Sequence, residues 1–213
     1  MRFDFLKLNQ VILLIIFAQF IFTMAVSLSG PLFALFLVRD IGAAAAAVGF
    51  ASAIYWAAKS ILQLPLARWI DKNHGEIDDY YSLLVGTAVT TTGVFLFYFA
   101  QELWHVFAIQ FLIAIGDAFV VPPLYAIFIR HIDRDSEGFE WALQSSFSFG
   151  AGSAIGGVLS AILVSTLGIR PLFLINGTLM LIGLVVLVFL KPYIRPKAPL
   201  PAGGRVFVEQ KRV

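Results

Sequence analysis

Two charged side chains sit where charge is expensive. Asp117 lies in the middle of an apolar run, "IQFLIAIGDAFVVPPLYAIF", and Lys59 in the middle of another, "ASAIYWAAKSILQLPLARW". Ionisable groups at such depth are rare and mark solute or proton pathways by default. An acid there can trade a proton, because a low dielectric penalises its charged form. Two roles are open to the pair. Each can act on a proton or a solute, or the two can neutralise one another as a structural salt bridge.

Other polar residues recur with helical spacing. Gln19, Thr23 and Ser27 are four apart, as are Tyr55, Lys59 and Gln63, and Gln144 and Ser148. Gln110 and Asp117 are seven apart, and Tyr125 follows one turn beyond the Pro122-Pro123 pair. Spacings of four and seven put residues on one helix face. For any single Ser or Thr, a hydrogen bond to its own helix is the plainer reading. Gln19 and Gln110 are harder to dismiss, since a buried amide needs partners. Asn176 is expected to hold helices together.

Several chemistries are disfavoured. There are no cysteines and only three histidines, which leaves no thiol chemistry and no basis for a metal site. No phosphate-binding G-x-x-x-x-G-K-[ST] run occurs, so ATP-driven work is not expected. The polar stretch "RHIDRDSEGFEW" resembles neither a hydrolase nor a metal site. One of Asp135, Ser136 and Glu137 is expected to cap the following helix. We expect neither enzyme activity nor a cofactor.

The elements that must position these residues follow from composition. Of 213 residues, 60% are hydrophobic and 13% charged, against roughly 25% charged in a soluble domain. The chain is read as all-α and membrane-embedded. Six segments are apolar for the roughly 20 residues that a spanning helix needs. They are 8–38, 43–70, 80–101, 103–130, 139–167 and 169–191. The first run is too long for a signal peptide and is expected to stay as helix 1. Residues 1–191 form the transmembrane domain, and 192–213 a polar tail.

Arg and Lys concentrate on one side: Arg2 and Lys7, Arg68 and Lys72, Arg130 and Arg134, and the run from Lys191 to Arg212. By the positive-inside rule both termini are cytoplasmic, in a multi-pass protein of the cell membrane. The basic residues flank spans, which argues against a nucleic-acid surface.

The chain also repeats itself. "PLFALF" begins at Pro31 and "PLYAIF" at Pro123; Gly49-Phe50 returns as Gly138-Phe139, and Gly86-Thr87 as Gly177-Thr178. The offsets are 92, 89 and 91 residues. Three ordered matches at nearly one offset suggest a three-helix repeat, over about 8–101 and 103–191. An odd number of spans per unit makes the two copies inverted, a transporter signature. Pro31, Pro122 and Pro123 should bend or unwind their helices, at places suited to gating.

At this point the sequence resembles the major facilitator superfamily. In "LARWIDKNHG" Ala67 replaces the first Gly of the family's loop 2–3 motif, Asp71 and Lys72 match, and Gly75 is displaced by one. The motif's basic end is replaced by Glu76, Asp78 and Asp79. Gly116, Pro122 and Pro123 fit the family's helix 4, while its membrane-embedded Arg falls near Gln110. The glycine-rich start of helix 5 and the turn Leu167-Gly168-x-Arg170-x-x-Phe173 also fit.

The resemblance implies a secondary transporter working by alternating access. Gln19, Thr23, Tyr55, Lys59, Gln63, Gln110, Asp117, Tyr125 and Gln144 would line its central cavity, with Trp56 nearby. The six helices equal one half of a twelve-helix member. The reading is therefore a homodimer, a half-transporter that carries a small solute with protons as symporter or antiporter. Helix 2 of one copy would pack on helix 5 of the other, through small residues including Gly152 and Gly156. The rival is a non-transporting membrane subunit or assembly partner derived from such a half. A different six-helix chain as partner also stays open.

Overall fold

A computed structural model describes residues 8–71, 75–133 and 135–195. Within them the secondary structure is helical. The long elements are α1 (Gln10–Asp40), α2 (Ala46–Asp71), α3 (Ile77–Phe99), α4 (Leu103–His131), α5 (Glu137–Leu167) and α6 (Arg170–Tyr193). Every boundary lies within three residues of its expected segment. All but α2 are long and apolar enough to cross a membrane. α2 has the length, 26 residues, but carries Lys59, Gln63, Arg68 and Asp71 in its second half. That polar load separates it from the other five. The tail beyond Arg195 lies outside the described residues.

Local chemistry sets several ends. The Asn9 side chain accepts the Val11 N–H at 3.0 Å and starts α1. At α4 the Glu102 N–H donates to His105 Nδ1 at 3.0 Å, half of a capping box. The cap expected for α5 does not form as foreseen, because Ser136 occupies the N-cap position without a side-chain hydrogen bond. Instead the Glu140 carboxylate accepts the Asp133 N–H at 3.4 Å. Gly168 ends α5 at φ +80°, a conformation that favours glycine.

The prolines behave unequally. Pro31 sits in a 3₁₀ turn, Gly30–Leu32, that interrupts α1. Pro122 and Pro123 stay inside a continuous α-helix, Leu103–His131, so of the expected bend or unwinding the unwinding does not occur. A further irregularity was not foreseen. α5 is π-helical over Gln144–Ala151, and α1 ends in a π segment, Phe36–Asp40.

Packing divides the bundle into two groups. α3 and α2 both pack closely on α4, while α5 and α6 both pack closely on α1, and an α3–α6 seam joins the groups. Glycines let the backbones approach. A Cβ at Gly116 would collide with Thr90 Oγ1 and meet the Gly86 carbonyl oxygen at 2.8 Å. Gly152 and Gly156 face the Phe20 and Met24 carbonyls of α1. This corrects the expectation that they pack across a dimer, since their close approach is used within the chain. Two apolar cores form, one around Phe36, Phe97, Phe173 and Ile113, the other around Ile12, Leu83, Phe128 and Leu187.

Candidate functional site

A cavity of about 440 Å³ is lined by all six helices. α1 contributes Gln19, Thr23 and Ser27, α2 Lys59, α3 Thr87 and Thr90, and α4 Asp117 and Tyr125. Phe22, Val120, Val121, Phe149 and Met180 supply much of its apolar wall.

Asp117 organises the polar wall. Its Oδ2 accepts the Tyr55 hydroxyl at 2.5 Å, and its Oδ1 accepts the Thr90 hydroxyl at 2.9 Å. Lys59 Nζ lies 3.9 Å from Asp117 Oδ2 and donates to the Tyr55 hydroxyl at 3.1 Å. Tyr55 therefore bridges lysine and aspartate. It can do so because Tyr55 and Lys59 are one turn apart on α2, and α2 packs against α4. The ammonium also lies 5.3 Å from the Tyr55 ring centre and 5.1 Å from that of Trp56, within cation–π range. The Lys59 and Asp117 side chains are 14% and 23% exposed, so the ion pair is neither sealed nor free in solvent.

Thr90 was not singled out from sequence. Thr87 and Thr91 donate to carbonyls one turn back, Leu83 and Thr87, each at 2.7 Å, as isolated helix threonines do. Thr90 is the exception because Gly116 brings α4 within its reach. A usable signal existed: a glycine directly before the acid on one helix, and Gly86 one turn before a threonine on another.

Other expected residues fall elsewhere. Gln63 and Gln110 are partly buried but do not line the cavity. Gln144 is 1% exposed, and both its amide atoms lack a protein partner. It is buried in the helix packing, so the expected cavity stripe on α5 is corrected. Ser148 donates to the Ile16 carbonyl of α1 at 2.8 Å. Asn176 donates to Ser29 Oγ at 2.5 Å, joining α6 to α1. Lys72 and the side chain of Asp71 lie outside the described residues.

A second charged cluster lies where the start of α3 meets the end of α4. Asp79, fully buried, pairs with Arg130. Glu76 accepts the Arg195 N–H at 2.9 Å and lies 3.6 Å from His131 Nδ1. Asn9 donates to the His131 carbonyl at 3.2 Å. Glu76 and Asp79, two of the three acids that replace the basic end of the loop motif, are thus drawn into packing between helix ends.

Comparisons with known proteins agree with this architecture. The family model described as Major Facilitator Superfamily matches residues 15–212. A solved structure of the POT family transporter PepTSo superposes with a TM-score of 0.74 at 16% identity, covering 92% of this chain and 40% of that one. A POT family transporter in complex with 5-aminolevulinic acid superposes at 0.75 and 16% identity, covering 93% and 43%. The chain therefore spans less than half the length of these solved relatives. No curated protein sequence matches it.

Proposed function

The chain belongs to the major facilitator superfamily, and on that premise we propose that it is a secondary transporter of a small solute, driven by protons that bind Asp117. The observation that carries this reading is one partly buried acid, held by Tyr55 and Thr90 beside Lys59, on the wall of a solute-sized cavity. Such a group can change charge inside the membrane, and its donors can change partner when it does.

The six helices act as two inverted three-helix units, α1–α3 and α4–α6. Alternating access comes from a second six-helix bundle rocking against this one. A second copy supplies that bundle. The exposed small residues Ala53 and Ala57 on α2, and Ser153 and Ala154 on α5, suit close approach between copies. The protein resides in the cell membrane with both termini in the cytoplasm, and acts as a carrier rather than an enzyme.

The test is uptake into proteoliposomes under an imposed pH gradient. The solute panel begins with 5-aminolevulinic acid, the ligand named for one structural neighbour. Proton-driven flux that Asp117→Asn abolishes supports the reading. Flux unchanged in that variant removes Asp117 from the mechanism. Cysteine pairs placed on α2 and α5 should crosslink between copies; a monomeric mass in nanodiscs would end the homodimer. The rival reading, a non-transporting subunit, is favoured by Gln110 standing where the family carries Arg and by the acidic loop. Absence of flux across the whole panel would support it.

A further inference from the structure

The hydrogen-bonding capacity that Lys59 keeps beside the cavity points to the charge of the solute. Each Asp117 oxygen accepts one hydroxyl, from Thr90 or from Tyr55, which uses two of the carboxylate's roughly four acceptor sites. Lys59 has three N–H donors and spends one, on the Tyr55 hydroxyl. Its distance to Asp117, 3.9 Å, is an ion pair without a hydrogen bond. Aromatic rings lie beside the ammonium but take no N–H from it in the conventional sense. Two N–H donors carrying a full positive charge are therefore unspent beside the cavity, while the carboxylate already has two hydroxyls and an ammonium next to it. Among the described residues, Lys59 and Asp117 are the charged ones on the cavity wall, and together they sum to zero.

We propose that the transported solute is a small organic monoanion with an apolar body, bound through Lys59 and carried together with one proton on Asp117. This rests on reading the cavity as a transport site. The charge balance requires the proton. An anion joining the ionised pair would leave one net negative charge in a low-dielectric wall, which is costly. Protonation of Asp117 restores neutrality: the carboxylate takes up the proton, and Lys59 exchanges one counter-ion for another. The process is symport, one proton per monoanion. Phe22, Phe149, Val121 and Met180 on the wall suit the apolar body.

Binding tests this without assuming transport. The full chain in nanodiscs is titrated with size-matched probes of fixed charge: benzenesulfonate, benzamide and benzyltrimethylammonium. The sulfonate should bind about ten- to a hundredfold tighter than the other two, the range expected of a charge-assisted hydrogen bond. Lys59→Gln should erase that preference and Lys59→Arg should keep it. Asp117→Asn, which leaves Lys59 without its counter-charge, should tighten sulfonate binding about tenfold. The proposal is overturned by equal or tighter binding of the neutral or cationic probe. It is equally overturned if the sulfonate fails to bind at about 10 mM, or if its affinity survives Lys59→Gln. The wild-type series needs no variant to fold. Flux with no anion preference would sink this proposal and spare the transporter reading. Anion preference without flux would do the reverse.

Discussion

The bundle holds two acid–base clusters built from similar parts, and they are finished differently. In the cluster between the helix ends, Asp79 is fully buried against Arg130, and Glu76 is held by a backbone N–H and His131. In the cavity, Asp117 and Lys59 stay partly exposed, 3.9 Å apart, with a tyrosine hydroxyl between them. A buried charge is therefore not a functional sign by itself. The distinction lies in whether its valence is used up by the fold and whether space lies beside it. The first cluster ties chain ends together, while the second keeps donor capacity facing a cavity.

That contrast can be broken by mutation. The largest expected effect on stability is Arg130→Ala, which strands the fully buried Asp79 without its counter-charge. It should cost about 3 kcal/mol or more, seen as a large drop in thermal unfolding temperature in detergent. Asp79→Asn should cost clearly less, because the Arg130 side chain is 34% exposed and can reach solvent. Equal losses would show that the pair is not the asymmetric structure described. Next comes Asp117→Asn, with the opposite signature. Proton-driven flux should fall at least about a hundredfold, while stability changes by about 1 kcal/mol or less. A variant that unfolds instead would place Asp117 with the structural cluster.

Gly116→Ala tests the contact that makes Thr90 available. The added methyl collides with Thr90 Oγ1, so α3 and α4 must shift, at about 1–3 kcal/mol. The smallest effect belongs to Thr90→Val, which removes one hydroxyl donor from Asp117. It should cost about 1 kcal/mol and shift the pH dependence of flux, with Thr90→Ser retaining wild-type behaviour. Thr91→Val, whose hydroxyl is spent on its own helix, should leave that profile in place.

Much of this was legible in the sequence, though not evenly. Runs of apolar residues mark helices strongly, and the observed ends track them closely. The spacing of Tyr55 and Lys59 put both on one face of α2. What the sequence could not say is which neighbour a face meets. Gln144 and Ser148 share a face as expected, yet that face turns into the packing against α1. Gly152 and Gly156 form a small-residue stripe as read, but α1 occupies it rather than a second copy. Thr90 was easy to overlook because a threonine on an apolar helix ordinarily bonds its own backbone; the α3–α4 approach, marked in sequence only by Gly86 and Gly116, singles it out. The acids Glu76 and Asp79 looked like a departure from a loop motif. Their role depends on Arg130, His131 and Arg195, more than 50 residues away in each case.

The grouping of helices has a mechanical corollary. Tyr55, Lys59, Thr90 and Asp117 all belong to the α2–α3–α4 group, whereas Gln19, Phe22, Thr23, Phe149 and Met180, which also line the cavity, belong to the α1–α5–α6 group. If the two groups slide along their α3–α6 seam, the polar constellation rides as cargo on one rigid body. Its internal distances stay fixed while Phe22, Phe149 and Met180 advance or withdraw with the other body. Grip on the charged end of a solute then stays with one body, while part of the grip on its apolar body belongs to the other.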